Sequence, residues 1–187
     1  MKVSNIKVYE LEESITVSGY PMALNPEDCT IDWLRAEKLG AVKTGTGHDN
    51  YLKGIRVAFD IRYSQYWSMQ AQRYTFLDIV SSQSKMHRLT KMDIPEQCNK
   101  YVTCKTIDNL ESYIERYNRD PTQENYMYVI SNCPMGLELT MRCNTNYQQL
   151  KTIYQQRKNH KLEDWEIFCE FIEGLPMFKE LTNITES

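Results

Sequence analysis

Residues 70–89 read QAQRYTFLDIVSSQSKMHRL and gather Gln70, Arg73, Ser81, Ser82, Gln83, Ser84, Lys85, His87 and Arg88 into one short stretch. Guanidinium and ammonium groups donate charge-assisted hydrogen bonds to anions, and amides and hydroxyls complete the shell. The apolar residues threaded between them, Tyr74, Phe76, Leu77, Ile79 and Val80, do not belong on an ordinary solvated face. Trp67, Gln70, Ala71 and Tyr74 recur at helical spacing, and Arg73 stands one turn from Gln70, so a helix would turn both polar groups toward one ligand. The chemistry expected here is recognition of a phosphate-bearing small molecule. A second candidate is Arg157, on the helical stripe of Tyr147, Leu150, Ile153 and Tyr154. A guanidinium on that stripe points inward or into a cleft and needs an anionic partner. Either a ligand supplies it, or Glu163, Asp164 or Glu166 in the next segment does.

Other constellations carry less. The TGTGH loop at residues 44–48 could present backbone N–H groups to a phosphate, but two glycines also make an ordinary turn. His48, His87 and His160 are too few and too scattered for a metal site. Ser84 and His87 lack a G-x-S-x-G elbow, which argues against a hydrolase. The six cysteines, Cys29, Cys98, Cys104, Cys133, Cys143 and Cys169, form no CxxC pair and no zinc spacing. Cys133 and Cys143 have no neighbouring histidine and read as structural. No metal is expected.

The elements that must hold these groups follow from periodicity. IKVYELEESITVSGYP (6–21) reads as a strand leading into a turn, and 25–41 as one helix opened by Asn-Pro and closed on Gly40. GIRVAFDIRY alternates Ile55, Val57, Phe59 and Ile61, a strand. Residues 93–134 read as one or two helices, MGLELTMR as a strand, and 146–159 and 162–176 as helices, the last stopped by Gly174 and Pro176. Helix and strand alternate throughout, so the class is α/β or a mixed α+β, in a single domain spanning 1–187. A net charge of -3 argues against duplex nucleic acid as a partner. No apolar leader opens the chain and no run is long enough to span a membrane. A cytoplasmic protein with reduced thiols is expected, and the sequon at Asn183 is then a chance match.

Three blocks in fixed order resemble the flavin-dependent thymidylate synthases, the ThyX family. In that family a GHE loop precedes a strand. A Q-x-x-R helix then runs into R-H-R and, after seven or eight residues, a Ser. An L-P strand leads to an N-x-R-x-L helix with a terminal Arg and then a QWEI helix. This chain offers Gly47-His48-Asp49, Gln70-x-x-Arg73 with Ser84 downstream, Pro134, Asn146, Leu150, Arg157 and Trp165-Glu166-Ile167. The likeness covers residues 44–172.

The resemblance implies a ThyX-like core of a mixed sheet packed with helices. It implies a homotetramer with sites between subunits, FAD held beside a dUMP-like pyrimidine nucleotide, and transfer of a one-carbon unit to C5. Reduced folate and NADPH would be further partners. Gln70, Arg73, Gln83, Ser84, Arg88 and Arg157 would bind the nucleotide, with Arg157 polarising the pyrimidine. His48, Arg73, Tyr74 and Asn146 would meet the flavin.

The pattern is broken in places. R-H-R reads Arg73-Tyr74-Thr75, the Arg two residues after the Ser is Met86, the Glu before it has become Ser82, and the Arg of N-x-R is Gln148. Fewer phosphate-binding cations imply weak FAD binding, and they leave a second reading open: a non-catalytic nucleotide sensor or sequestering protein on the same scaffold.

Overall fold

The computed structural model describes residues 1–184. In chain order the elements are β1 (Lys2–Tyr9), α1 (Leu11–Val17), α2 (Trp33–Gly40), β2 (Arg56–Ser64), α3 (Gln65–Ala71), β3 (Asp78–Ser82), α4 (Lys85–Arg88), α5 (Ile94–Gln97), α6 (Cys104–Arg119), α7 (Gln123–Ser131), β4 (Glu138–Asn146), α8 (Tyr147–Arg157), α9 (Glu163–Glu173) and α10 (Phe178–Thr182). The four strands form one sheet in the order β1-β2-β4-β3. Its three pairings are all antiparallel. Helices and sheet thus share one core, the mixed α/β class expected, on a sheet without parallel neighbours.

The alternation in β2 decides what covers the sheet. Val57, Phe59, Ile61 and Tyr63 are buried, and directly opposite them in β4 stand Thr145, Cys143, Met141 and Leu139. Directly paired residues project to the same side of a sheet, so both central strands present one apolar face. Helices α3 and α9 cover it: Phe59 meets Phe168 and Phe171 at 5.9 and 4.8 Å, and Trp67 meets Trp165 at 5.1 Å. The opposite face is polar. There Arg142 Nη1 reaches Asp60 Oδ1 at 3.1 Å and Asn5 Nδ2 donates to Asp60 Oδ2 at 3.0 Å. The Asn5 bond, then Arg142, hold the Asp60 carboxyl below the usual carboxylate range.

Several sequence expectations need correction. The N-terminal strand stops at Tyr9. Glu10 takes a left-handed conformation (φ 59°), and Leu11–Val17 are helical because Leu11, Ser14 and Ile15 share a face, which outweighs the β-branched run. The helix expected over 25–41 is split: Pro26–Asp28 make a single tight turn, and α2 begins only where Asp32 accepts from Arg35 N at 2.9 Å. Gly40 ends it as expected and fits a close approach, since a Cβ there would lie 1.9 Å from the Leu181 carbonyl oxygen. Helix α3 ends at Ala71 rather than continuing through Tyr74, and the unexpected β3 pairs along the outer edge of β4 with a bulge between Ile79 and Ser81. The MGLELTMR strand lies further along, from Glu138 to Asn146.

Candidate functional site

Arg157 closes α8 and lies half-buried. Its Nε donates to the Tyr74 hydroxyl at 2.7 Å and its Nη1 to Gln70 Oε1 at 3.4 Å. The guanidinium carbon sits 4.6 Å from the Trp165 ring centroid and 5.4 Å from that of Tyr74. Trp165 Nε1 donates to the same Gln70 Oε1 at 2.9 Å, and the Tyr74 hydroxyl donates to Gln156 Oε1 at 3.0 Å. One residue from each of three segments, the end of α3, the turn after it and the start of α9, therefore fixes this side chain. None of the carboxylates named as structural alternatives takes part. Glu163 accepts from Lys100 and Tyr101, both at 2.8 Å, and these bonds hold its carboxyl below the usual range. Asp164 accepts from Ser64 Oγ at 3.2 Å, and Glu166 is exposed. Arg157 has no carboxylate partner among the described residues. Of the five guanidinium N–H groups, Nε–H and one on Nη1 are engaged. The remaining Nη1–H and both on Nη2 leave the outer fork free for two adjacent acceptor atoms. His160 stands edge-on to Trp165 at 6.3 Å, and burial, then Arg157 and Lys161, lower its pKa.

Gln83, Ser84 and Arg88 come together elsewhere. With Lys91 and Met92 they line an open concavity of about 590 Å3. Gln83 is anchored to the sheet, its Oε1 accepting from Thr140 N at 2.8 Å. Ser84 caps α4, its Oγ accepting from His87 N at 3.3 Å. Arg88 ends α4 and Lys91 ends the 3-10 turn Leu89–Lys91, three residues on, and both line this side. Sequence reasoning missed Lys91, whose signal was that spacing of three. Met86 is exposed, and its backbone carbonyl accepts from the Tyr126 hydroxyl at 2.6 Å.

The remaining expected residues are dispersed. Arg73 lies beyond the end of α3, exposed, and does not share a helix face with Gln70. His48 is exposed in the glycine loop, where Gly45 and Gly47 have φ of 96° and 84°. The next residue, Asp49, is fully buried. It accepts from Gln148 Nε2 at 2.9 Å and from Lys151 Nζ at 3.2 Å. Lys151 is also buried, donating to the carbonyls of Gly40 and Val42. This ion pair pins the loop to α8. Asn146 caps α8, accepting from Gln149 N at 3.0 Å, and borders a cleft of about 330 Å3 on the polar face of the sheet.

Four of the thiols are held in the protonated form by their surroundings. Burial pushes Cys98 and Cys169 up to about 11 and Cys143 up to about 12, and it raises Cys133 as well. Among the described residues no group of three or more His, Cys, Asp or Glu side chains is arranged to hold a metal ion, and no helix is long and apolar enough to cross a membrane.

This arrangement of sheet, capped α8 and tryptophan-bearing α9 is the ThyX fold. It superposes on the flavin-dependent thymidylate synthase ThyX from Helicobacter pylori complexed with FAD and dUMP, with a TM-score of 0.73 and 13% identity over 97% of both chains. A second structure of the Helicobacter pylori protein, also with FAD and dUMP, gives a TM-score of 0.73 and 14% identity over 97% of this chain and 96% of that one. No family model and no curated protein matches the sequence.

Proposed function

We propose that this chain is a divergent ThyX-like protein that binds a pyrimidine deoxynucleotide of the dUMP type and, with FAD, transfers a one-carbon unit to its C5. The observation that carries the reading is the Arg157 fork, a half-buried cation with no carboxylate partner, held between two aromatic faces and aimed by two neutral acceptors. A uracil carbonyl oxygen has two lone pairs and can accept from both arms of such a fork. As C5 reacts, negative charge grows on that carbonyl, and a fixed guanidinium stabilises it. Gln70 and Arg73 would complete the pyrimidine contacts. Ser84, Gln83 and Arg88, joined by Lys91, would take the phosphate.

FAD, when bound, would supply the carrier and the hydride, with reduced folate and NADPH as the sources of carbon and electrons. His48 and Asn146 would lie beside the flavin. The fit is uneven. Thr75 is exposed and Tyr74 is turned onto Arg157, so neither provides the positive charge expected at the signature. Lys53 and Arg56 beside the sheet cleft provide cations from another direction. The pyrimidine and phosphate groups lie in separate places on one chain, which favours the homotetramer with sites completed between subunits. A cytoplasmic location, with reduced thiols, belongs to the same reading.

The inward turn of Tyr74 favours one alternative, a nucleotide-binding protein without flavin chemistry. The absorption spectrum of the purified protein, followed by dUMP methylation assayed with added FAD, methylenetetrahydrofolate and NADPH, separates the two. Thymidylate formation supports the enzyme. Nucleotide binding without turnover supports the alternative. The absence of both sinks the proposal.

A further inference from the structure

The polar face of the sheet carries a cleft whose residues the pyrimidine and phosphate contacts do not use. Its floor follows from the register. Tyr9 pairs with Arg56, which pairs with Asn146; in the next rung Lys7 pairs with Ala58, Ala58 with Asn144 and Asn144 with Asp78. Directly paired side chains project to one side, so two rungs of polar groups surround a single methyl at Ala58. That small residue between larger neighbours creates the depression of about 330 Å3, which lies in the range of small-molecule sites. Tyr9 on β1 and Phe76 just before β3 stand at its two ends, about half of each exposed (47% and 60%). Three strand spacings separate β1 from β3, about 14 Å, wide enough for a tricyclic ring laid across β2 and β4.

The hydrogen-bonding groups around this depression are unused. Among the described residues, the side chains of Lys53, Asp78 and Asn144 make no hydrogen bond or ion pair. Asn146 uses its oxygen to cap α8 and keeps its amide N–H groups. Arg56 is paired only with Glu10, and both are more than half exposed or close to it (61% and 50%), so an incoming anion can compete for it. Two amides, a carboxylate, two cations and two aromatic rings thus converge on an apolar floor. Amides and carboxylate match a heteroaromatic edge that alternates acceptor, N–H donor and acceptor, and the cations match a phosphate beside it.

We propose that this cleft binds the ring and adjoining phosphate of a flavin nucleotide, and that Lys53 and Arg56 supply the positive charge that Tyr74 and Thr75 do not. The inference rests on the flavin-dependent reading above and moves the centre of the flavin site from the broken signature to the sheet face. Asn144 and Asp78 address the ring edge. Lys53, with no competing partner, addresses the phosphate.

The test uses flavin fluorescence quenching and calorimetry on the full chain, with riboflavin, FMN, FAD and ADP as probes and dUMP titrated separately without flavin. FMN and FAD should bind at least tenfold more tightly than riboflavin. Lys53→Gln should remove most of that preference while leaving riboflavin unchanged, and Asn144→Ala should weaken all three flavins about tenfold. Both positions are open, and unaltered dUMP titrations report that each variant is folded. A parent protein that binds dUMP but no flavin overturns the inference and leaves a nucleotide-binding protein. Flavin binding indifferent to both substitutions overturns it and leaves the proposed function intact. Binding of ADP with no binding of FMN overturns the assignment of the flavin ring. A protein that binds neither flavin nor dUMP overturns both readings.

Discussion

Replacing Arg157 by alanine separates ligand recognition from stability more sharply than any other single change in this chain. The effect on folding should be small, because nothing buried is left unpaired. The Tyr74 hydroxyl still donates to Gln156, and Gln70 Oε1 still accepts from Trp165. What is lost is one good hydrogen bond, one long one and two cation–π contacts on a half-buried side chain, about 2–3 kcal/mol together. At roughly 2–4 °C per kcal/mol for a domain of this size, melting should fall by about 4–12 °C. The effect on ligand should be large. Two charge-assisted bonds from the outer fork contribute on the order of 3 kcal/mol even at the low end, or about 100-fold in Kd. Calorimetric titration with dUMP beside a thermal melt of both proteins reads the two numbers. Arg157→Lys keeps the charge but not the planar fork, so it should recover the melting temperature and little of the affinity. A variant that melts more than about 15 °C lower and still binds dUMP within twofold of the parent would refute the assignment, since it would make Arg157 a structural residue.

Asp49→Ala should strand the buried Lys151 ammonium on two carbonyls, costing about 3–5 kcal/mol and about 6–20 °C of melting temperature; a shift of under 3 °C would show that the pair is not buried in solution. Burial raises the Cys143, Cys169 and Cys98 thiols in the folded state only, so their stabilisation is complete below about pH 8.5 and is lost as pH rises toward those folded values. Melting temperature should therefore decline from pH 8.5 to 10.5, and a flat profile would contradict the burial. A thiol reagent at pH 8 should label the exposed Cys104 well ahead of the buried Cys143 and Cys169; equal labelling would contradict their burial. The outer edge of β3 exposes Ile79 and Val80, and the shared-site reading predicts a tetramer by light scattering at micromolar concentration that Val80→Lys dissociates; a monomeric parent protein would remove that reading.

Much of the frame was legible because it rests on periodicity. GIRVAFDIRY alternates and is a central strand, and the Tyr147–Arg157 and Trp165–Ile172 stripes are helix faces against it. The failures have local causes. LEESITV carries a β-branched run, yet becomes helix because only a helical spacing buries Ile15. β3 was hidden because all five of its residues are exposed, so it lacks the apolar–polar contrast by which a strand is read. Of the candidate site, Arg157 could be singled out because its stripe demanded a partner, and Ser84 and Arg88 because their polar groups cluster in the sequence; the fold puts those two in one concavity. It was not legible at the sheet cleft. Tyr9, Arg56, Asn144 and Asp78 are brought together by register across four strands, and no local window of sequence contains that information.

Three residues that depart from the pattern the sequence resembles, Asp49, Gln148 and Tyr74, are bonded to each other or to a residue that keeps it. Asp49 stands where the pattern has Glu and Gln148 where it has Arg; the two side chains meet at 2.9 Å. Tyr74 stands where the pattern has His and gives its hydroxyl to Arg157, which keeps its place. A buried Asp49 carboxylate left without a cation would be uncompensated, at a cost of about 3–5 kcal/mol. Here it is satisfied by the neutral Gln148 amide and by Lys151 from the same helix. Random erosion of an unused site would leave unpaired groups behind. Among the described residues the buried side-chain polar atoms without a partner are Thr44 Oγ1, Trp67 Nε1 and Thr145 Oγ1, and none belongs to these residues. Tyr74 and Thr75 add no positive charge beside Arg157, whose guanidinium is held by Tyr74, Gln70 and Trp165. On the proposed reading, the site prefers ligands that need one well-aimed fork rather than a field of positive charge. That preference is measurable as a shallow salt dependence of dUMP affinity: two or three phosphate and fork contacts, rather than a basic cluster, should let binding survive moderate salt, and a steep loss of affinity with salt would place the binding energy elsewhere.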